Sequence, residues 1–173
     1  MDIEKIKTIL STVEQDTKDL DILKDEIISK YSKPLDNVIK KIQDKNVLMD
    51  GDISIDDLVL SIQEICPHLY FVAAGMERIG ISSDAAEKLR LEVFNKARES
   101  TVGTQGDKTA FAETQSSNEQ MITNLYKRSY KELQRRLDLG IATLDALKKA
   151  LSVKSQEMSV MGTQTRVSQQ MNN

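Results

Sequence analysis

Apolar and small residues recur in alternating steps of four and three from Tyr126 to Met158. The positions are Tyr126, Tyr130, Leu133, Leu137, Gly140, Leu144, Leu147, Leu151, Lys154 and Met158. A seven-residue repeat keeps one narrow stripe facing a partner helix, as in a coiled coil or a long bundle helix. A single helix has no means of covering its own stripe. The pattern therefore predicts a protein that acts through what this seam meets, with Leu133, Leu137, Leu144, Leu147 and Leu151 holding a homo-oligomer together. Gly140 and Lys154 interrupt the seam and predict packing against shorter helices of the same chain near those points.

The amino-terminal half carries the same spacing in shorter runs. Ile3, Ile6, Leu10, Val13, Thr17, Leu20, Lys24, Ile27 and Tyr31 predict a first helix to about Ser32, which Pro34 is expected to close. Leu35, Val38, Ile39 and Ile42 share one face of a short second helix ending near Lys45. Asn46–Asp52 reads as a loop, and Ser54 with Asp57 three residues later as a helix cap. The third helix is apolar on several sides, from Leu58 through Ile65 and Tyr70 to Met76. It is expected to be central and buried, kinked at Pro67, and to end around Gly75 or Gly80. Ser82 or Ser83 starts a fourth, with Ala86, Leu89, Val93 and Ala97 on one stripe. A glycine-bearing linker at 100–106 leads into a last helix from about Asp107 to Met158.

These elements predict an all-α helical bundle with a long coiled-coil-like carboxy-terminal helix. They also suggest a division into an acidic helical region (1–100), a linker and heptad helix (101–158) and a flexible polar tail (159–173). Composition agrees, with two prolines, no tryptophan and 29% charged residues in a chain of 173. The single Cys66 excludes an internal disulfide framework and a multi-cysteine zinc site. The amino terminus is charged from Asp2, as a secretory leader is not, and no apolar run approaches the ~20 residues of a membrane span. A soluble protein without membrane contact is expected.

Net charge is −3 but unevenly placed: from Met121 onward there are nine basic and four acidic residues. At about 100° per residue, Lys127, Arg128, Lys131, Arg135 and Lys149 fall within about 100° of arc, opposite the leucine stripe. Such a row suits a polyanion, since affinity grows with the number of phosphates neutralised. The plainer reading is a solvated helix face. Tyr126 and Tyr130 lie at the edge of the apolar stripe and are expected in the core, not as platforms for bases.

Three other motifs lose to simpler explanations. Asp50 to Asp57 resembles part of a calcium loop, but with Gly51 sixth the third position is Leu48 and the twelfth a short Asp57. A turn and a cap explain the same residues, and no metal is expected. Cys66-Pro67-His68 pairs a thiol with the only imidazole but lacks an orienting group, so a buried cysteine and a half-buried histidine are expected. In Gly103–Thr109, Asp107 separates Gly106 from Lys108, which breaks the phosphate-loop spacing and leaves a flexible connector. No cofactor and no catalytic role follow.

The last helix is tyrosine-led, beginning Tyr126-Lys-Arg-Ser-Tyr-Lys-Glu-Leu133, and its lysine motif is Leu144-Asp-Ala-Leu-Lys-Lys149. It resembles UvsY-like recombination mediators of phages over about a third of the chain. The resemblance implies an all-helical homo-oligomer in the host cytoplasm that binds single-stranded DNA and helps load a recombinase. Lys127, Arg128, Lys131, Arg135, Lys148 and Lys149 would then be phosphate contacts. Those mediators have an Arg-Gly pair after the lysine motif where this chain has Ala150-Leu-Ser-Val-Lys-Ser155, and residues 1–100 have no counterpart. The uncharged Gln, Ser and Asn of the tail point to an alternative, a virion structural or assembly protein that packs against other virion proteins.

Overall fold

The computed structural model describes the backbone of residues 3–44 and 54–171, and the side chains of residues 15, 17–44 and 54–161. The fold is all-α, and the described residues form four helices and no strand: α1 (Ile3–Asp44), α2 (Ile55–Ser100), α3 (Gln105–Gln115) and α4 (Ser117–Met171). They assemble into two compact units. Unit 1 comprises Met1–Tyr31 and Ala73–Gln134, and unit 2 comprises Ser32–Val72 and Arg135–Asn173.

The helices are longer than their punctuation suggests. Pro34 does not close α1, and Pro67 does not interrupt α2. A proline inside a helix removes one donor and crowds the preceding turn, costing about 3 kcal/mol. Here each proline is flanked by buried side chains, Ser32 and Leu35 at one and Ile65 at the other, whose burial opposes that loss. Gly75, Gly80 and the serines after them likewise fail to end α2. Ser82 Oγ instead donates to Arg78 O at 3.0 Å, inside a continuous helix.

The reason lies in a pattern the apolar residues alone conceal. Leu58, Ile62, Ile65, Leu69, Val72, Met76, Ile79, Ser83, Ala86, Arg90, Val93 and Ala97 step four and three without a slip, and all are buried or half-buried. Ser83 and Arg90 sit on this stripe as polar members, so the repeat looks broken when only hydrophobic letters are counted. The predicted stripe containing Leu89 is displaced, and Leu89 is exposed.

α2 is not the buried central helix expected. Leu58, Ile65 and Val72 are fully buried, but Leu60 and Phe71 are exposed and Tyr70 is 79% exposed. Among the described residues α2 is the one helix long and apolar enough, by length and composition, to cross a membrane, and 28% of its most apolar stretch is buried. No run of that kind was expected from the sequence. Cys66 is exposed rather than buried, because it follows the inward-facing Ile65 by one residue and so points away from the core. His68 is half-buried.

Helix ends follow local chemistry. Asp57 N–H donates to Ser54 Oγ at 3.1 Å, so the predicted cap of α2 is present. At its other end the hydroxyls of Ser100 and Thr101 both donate to Ala97 O, satisfying a terminal carbonyl. Gly103 has φ +150°, a conformation side-chain-bearing residues rarely adopt, and Thr104 then caps α3. The last helix is not single from Asp107: Ser116 divides α3 from α4, its N–H donating to Ala112 O and its own carbonyl accepting from Gln120 N–H, both at 3.0 Å. α4 continues to Met171, through the segment where a flexible tail was expected.

The core of unit 2 is built from aliphatics: Leu35, Val38, Ile39 and Ile42 of α1, Leu58, Ile65 and Val72 of α2, and Leu144 and Leu147 of α4. Gly140 is the point of closest approach. A Cβ there would lie 2.5 Å from Leu69 Cδ2 and 3.0 Å from Leu35 Cδ2, so the glycine in the heptad seam is what lets both leucines pack onto α4. The ion pairs Lys41–Glu64 and Arg136–Asp36, each at 2.8 Å, close the rim, and Asp36 also accepts from buried Ser32 Oγ.

The seam of α4 therefore meets its own chain. Leu133 in unit 1 and Leu144 and Leu147 in unit 2 are buried, while Leu137 and Leu151 are half-buried. Leu133, Leu144 and Leu147 are thus covered within the chain, while Leu137 and Leu151 keep part of their surface exposed.

The core of unit 1 has a different composition. Ile28, Tyr31, Met76, Ile79 and Leu133 are joined by Ala97, Ala112, Ser83, Ser116, Thr123 and Ser129. Ser129 is fully buried in α4, whereas the next residue, Tyr130, expected on the seam and in the core, is 37% exposed. A small buried residue at 129 moves the inward-facing line by one position, which turns Tyr130 to the flank.

Candidate nucleic-acid interface

The six cations singled out on α4 are divided between the units. Lys127, Arg128 and Lys131 belong to unit 1, and Arg135, Lys148 and Lys149 to unit 2. All six are exposed. In unit 2, Lys148 Nζ stands 3.9 Å from Asp145 Oδ1 one turn earlier, a loose surface pair of little energetic consequence.

In unit 1 the three cations meet two clefts. Arg128 lines a cleft of about 230 Å³ together with Thr17, Leu20, Asp21 and Lys24 of α1 and Met121, Asn124 and Leu125 of α4. Lys24 Nζ donates to Asp21 Oδ1 at 2.9 Å and lies 3.7 Å from Asp25 Oδ1. The hydrogen bond to Asp21 holds the ammonium above its ordinary 10.5 against the opposing effect of burial, with the charges of Asp21 and Asp25 adding to the rise. Lys24 is thus cationic but largely matched, and Arg128 supplies the cleft's net positive charge.

Lys127 and Lys131 line a second cleft, of about 300 Å³, with Tyr130 between them and Gly80, Ser83 and Asp84 on the facing α2. Lys127 Nζ donates to Glu87 Oε2 at 2.9 Å, and Arg90 Nη2 donates to Glu87 Oε1 at 2.7 Å. The Arg90 guanidinium first, and the Lys127 ammonium after it, hold the Glu87 carboxyl below the usual glutamate range. Lys127 is exposed and screened by water, so this pair leaves its ammonium exchangeable for another anion.

The motifs set aside earlier stay outside these clefts. Asp50 to Ile53 of the acidic string lie outside the described residues. Among the described residues no group of three or more His, Cys, Asp or Glu side chains is placed to hold a metal. The Gly103–Thr109 segment is a capped helix start: Asp107 N–H donates to Thr104 Oγ1 and Thr104 N–H to Asp107 Oδ2, a capping box. Both bonds to Thr104, the side-chain one first, hold the Asp107 carboxyl below its ordinary 3.8.

Two features of this region were missed from sequence. Lys24 and Asn124 join Arg128 only because α1 and α4 are neighbours in unit 1, which no local pattern encodes. The exposure of Tyr130 had a signal, the small Ser129 three residues after Tyr126, which competes for the inward position. No protein-family model matches the chain, and neither the curated proteins nor the solved structures compared with it give a match.

Proposed function

We propose that the protein is a non-enzymatic helical scaffold that binds single-stranded DNA through the outer face of α4, as an accessory to phage recombination or replication. The observation that carries this reading is the cluster in unit 1. Lys127, Arg128 and Lys131 stand exposed within five residues of α4, each lining a cleft. Phosphate contacts supply sequence-independent affinity, and a few per protomer become strong when several protomers act together. A homo-oligomer and a recombinase partner belong to the same proposal, and the phage assignment rests on the UvsY-like resemblance of α4.

The test is fluorescence anisotropy of a labelled 20-mer of dT against the full chain at rising salt. Three phosphate contacts give a log–log slope of about −2, from roughly −0.7 per phosphate on single strands. Replacing Arg128 and Lys131 together by Glu should abolish binding. Undetectable affinity in wild type at low salt, or an unchanged affinity in the double variant, refutes the reading.

A second reading, a virion structural or assembly protein, is favoured by unit 2. Leu139, Ala142, Ala146, Val153 and Val160 recur on α4 at steps built from three and four, with Leu139, Val153 and Val160 exposed. An outward apolar stripe of this spacing suits helix–helix packing with other proteins. Co-purification with assembled particles, without DNA affinity, would select it.

A further inference from the structure

We infer that Tyr130 is a stacking platform for one unpaired nucleobase, with Lys127 and Lys131 gripping the phosphates on either side of that nucleotide. The inference rests on the single-stranded-DNA reading and names the residue that would hold a base.

Four observations converge on it. Tyr130 is 37% exposed although its neighbour Ser129 is fully buried, so the ring stands at the wall of the unit and not within its core. The ring borders a cleft of about 300 Å³ whose opposite wall is Gly80, Ser83 and Asp84. Gly80 keeps that wall low: a Cβ on it would lie 3.8 Å from Tyr130 Cε2, ordinary contact distance, so any longer side chain there would occupy the space beside the ring. Finally, Lys127 and Lys131 line the same cleft as Tyr130 and, four residues apart, are neighbours on the surface of α4.

An aromatic face between two cations is the combination that holds a single strand without reading its sequence. Every base offers a π-face, and the flanking phosphates meet the lysines. Asp84 and Glu87 are the acids nearby, lining the cleft and pairing with Lys127 respectively. A carboxylate at Asp84 suits the exocyclic amine or ring N–H of a base and disfavours a phosphate. It therefore orients the nucleotide with its base inward and its phosphates toward the lysines.

Because the chain has four tyrosines and no tryptophan, tyrosine emission reports on binding directly. The full chain is titrated at low salt with a 20-mer of dT and with a 20-mer of abasic deoxyribose phosphate. The expected result is about tenfold tighter binding of dT, with tyrosine quenching seen for dT only. Tyr130→Leu should remove that preference and the quenching while keeping the salt slope. Tyr130→Phe should keep the preference. Gly80→Leu, which fills the cleft and improves helix propensity, should remove it with the fold intact. Equal affinity of wild type for the two oligomers, or a preference that survives both Tyr130→Leu and Gly80→Leu, overturns the platform and leaves the phosphate reading standing. Failure of both oligomers to bind wild type overturns the two together.

Discussion

Unit 2 and unit 1 are cut from the same long helices, yet they close their interiors in different ways. Both have a glycine under a large side chain, Gly140 beneath Leu69 in unit 2 and Gly75 beneath Tyr31 in unit 1. Unit 2, however, fills its interior with Leu, Ile and Val, and Leu35, Leu58, Ile65 and Leu147 are almost wholly withdrawn from water. Unit 1 buries Ser83, Ser116, Thr123 and Ser129 and borders two clefts lined in part by cations. The heptad spacing runs through both. What differs is side-chain size and polarity at the inward positions, which decides whether neighbouring helices seal or leave space between them. A repeat thus sets which residues face inward, and the residues there set whether the interior becomes a core or borders a site.

The comparison breaks most readily at the buried leucines. Leu147→Ala in unit 2 and Leu133→Ala in unit 1 should each cost about 2–5 kcal/mol in denaturant unfolding. Hydrogen exchange read by segment then shows whether each loss stays in the unit that carries it. Equal acceleration across both units after either substitution would mean that the two do not behave as separate packing units.

Glycine substitutions sharpen it next. Gly140→Ala should destabilise by about 1–3 kcal/mol, because its new methyl overlaps Leu69 and Leu35. Gly80→Ala should instead stabilise by about 0.5–1 kcal/mol, since unit 1 has ordinary contact distance there and alanine is the better helix former. A thermal melt giving the same sign for both would remove the distinction between the covered position at Gly140 and the open one at Gly80.

Much of this was legible in the chain. The all-α class, the inward face of Leu35, Val38, Ile39 and Ile42, the Ser54 cap and the Leu133–Leu147 seam follow from spacing and capping chemistry alone. Helix length was not, since Pro34, Pro67, Gly75 and Gly80 carry local penalties that burial of the flanking residues outweighs. Packing within the chain near Gly140 was expected from the interrupted seam, but the residues that meet it, Leu69 and Leu35, were hidden because they depend on which helices stand opposite. Of the candidate site, the cations were visible in sequence. The clefts were not, since they depend on which residue of α1 or α2 stands opposite.

Smaller effects separate the cap from the site. Thr104→Ala should cost about 1 kcal/mol by removing the N-cap of α3, as measured by thermal unfolding. The Asp107 side of that box has a lowered folded pKa. Its contribution is therefore full above the ordinary value of 3.8 and is lost as pH falls through the lower folded value. Unfolding curves taken from pH 5 downward should show a smaller decline in Asp107→Asn than in wild type, the remainder coming from carboxylates such as Glu87. On the proposed reading, Glu87→Gln should raise affinity for dT a few-fold by freeing Lys127, which anisotropy at fixed salt would detect.

On the single-stranded-DNA reading proposed above, the Glu87 carboxylate has one further consequence, for protons. Free of DNA, it is held ionised by Arg90 and Lys127. A phosphate that draws Lys127 away removes part of that support and brings a second negative charge close, so the Glu87 pKa rises in the complex. Proton uptake on binding would then be fixed in sign, so that lowering the pH tightens the grip on a strand and does not loosen it. A salt bridge of small worth to stability would in this way couple strand capture to proton uptake.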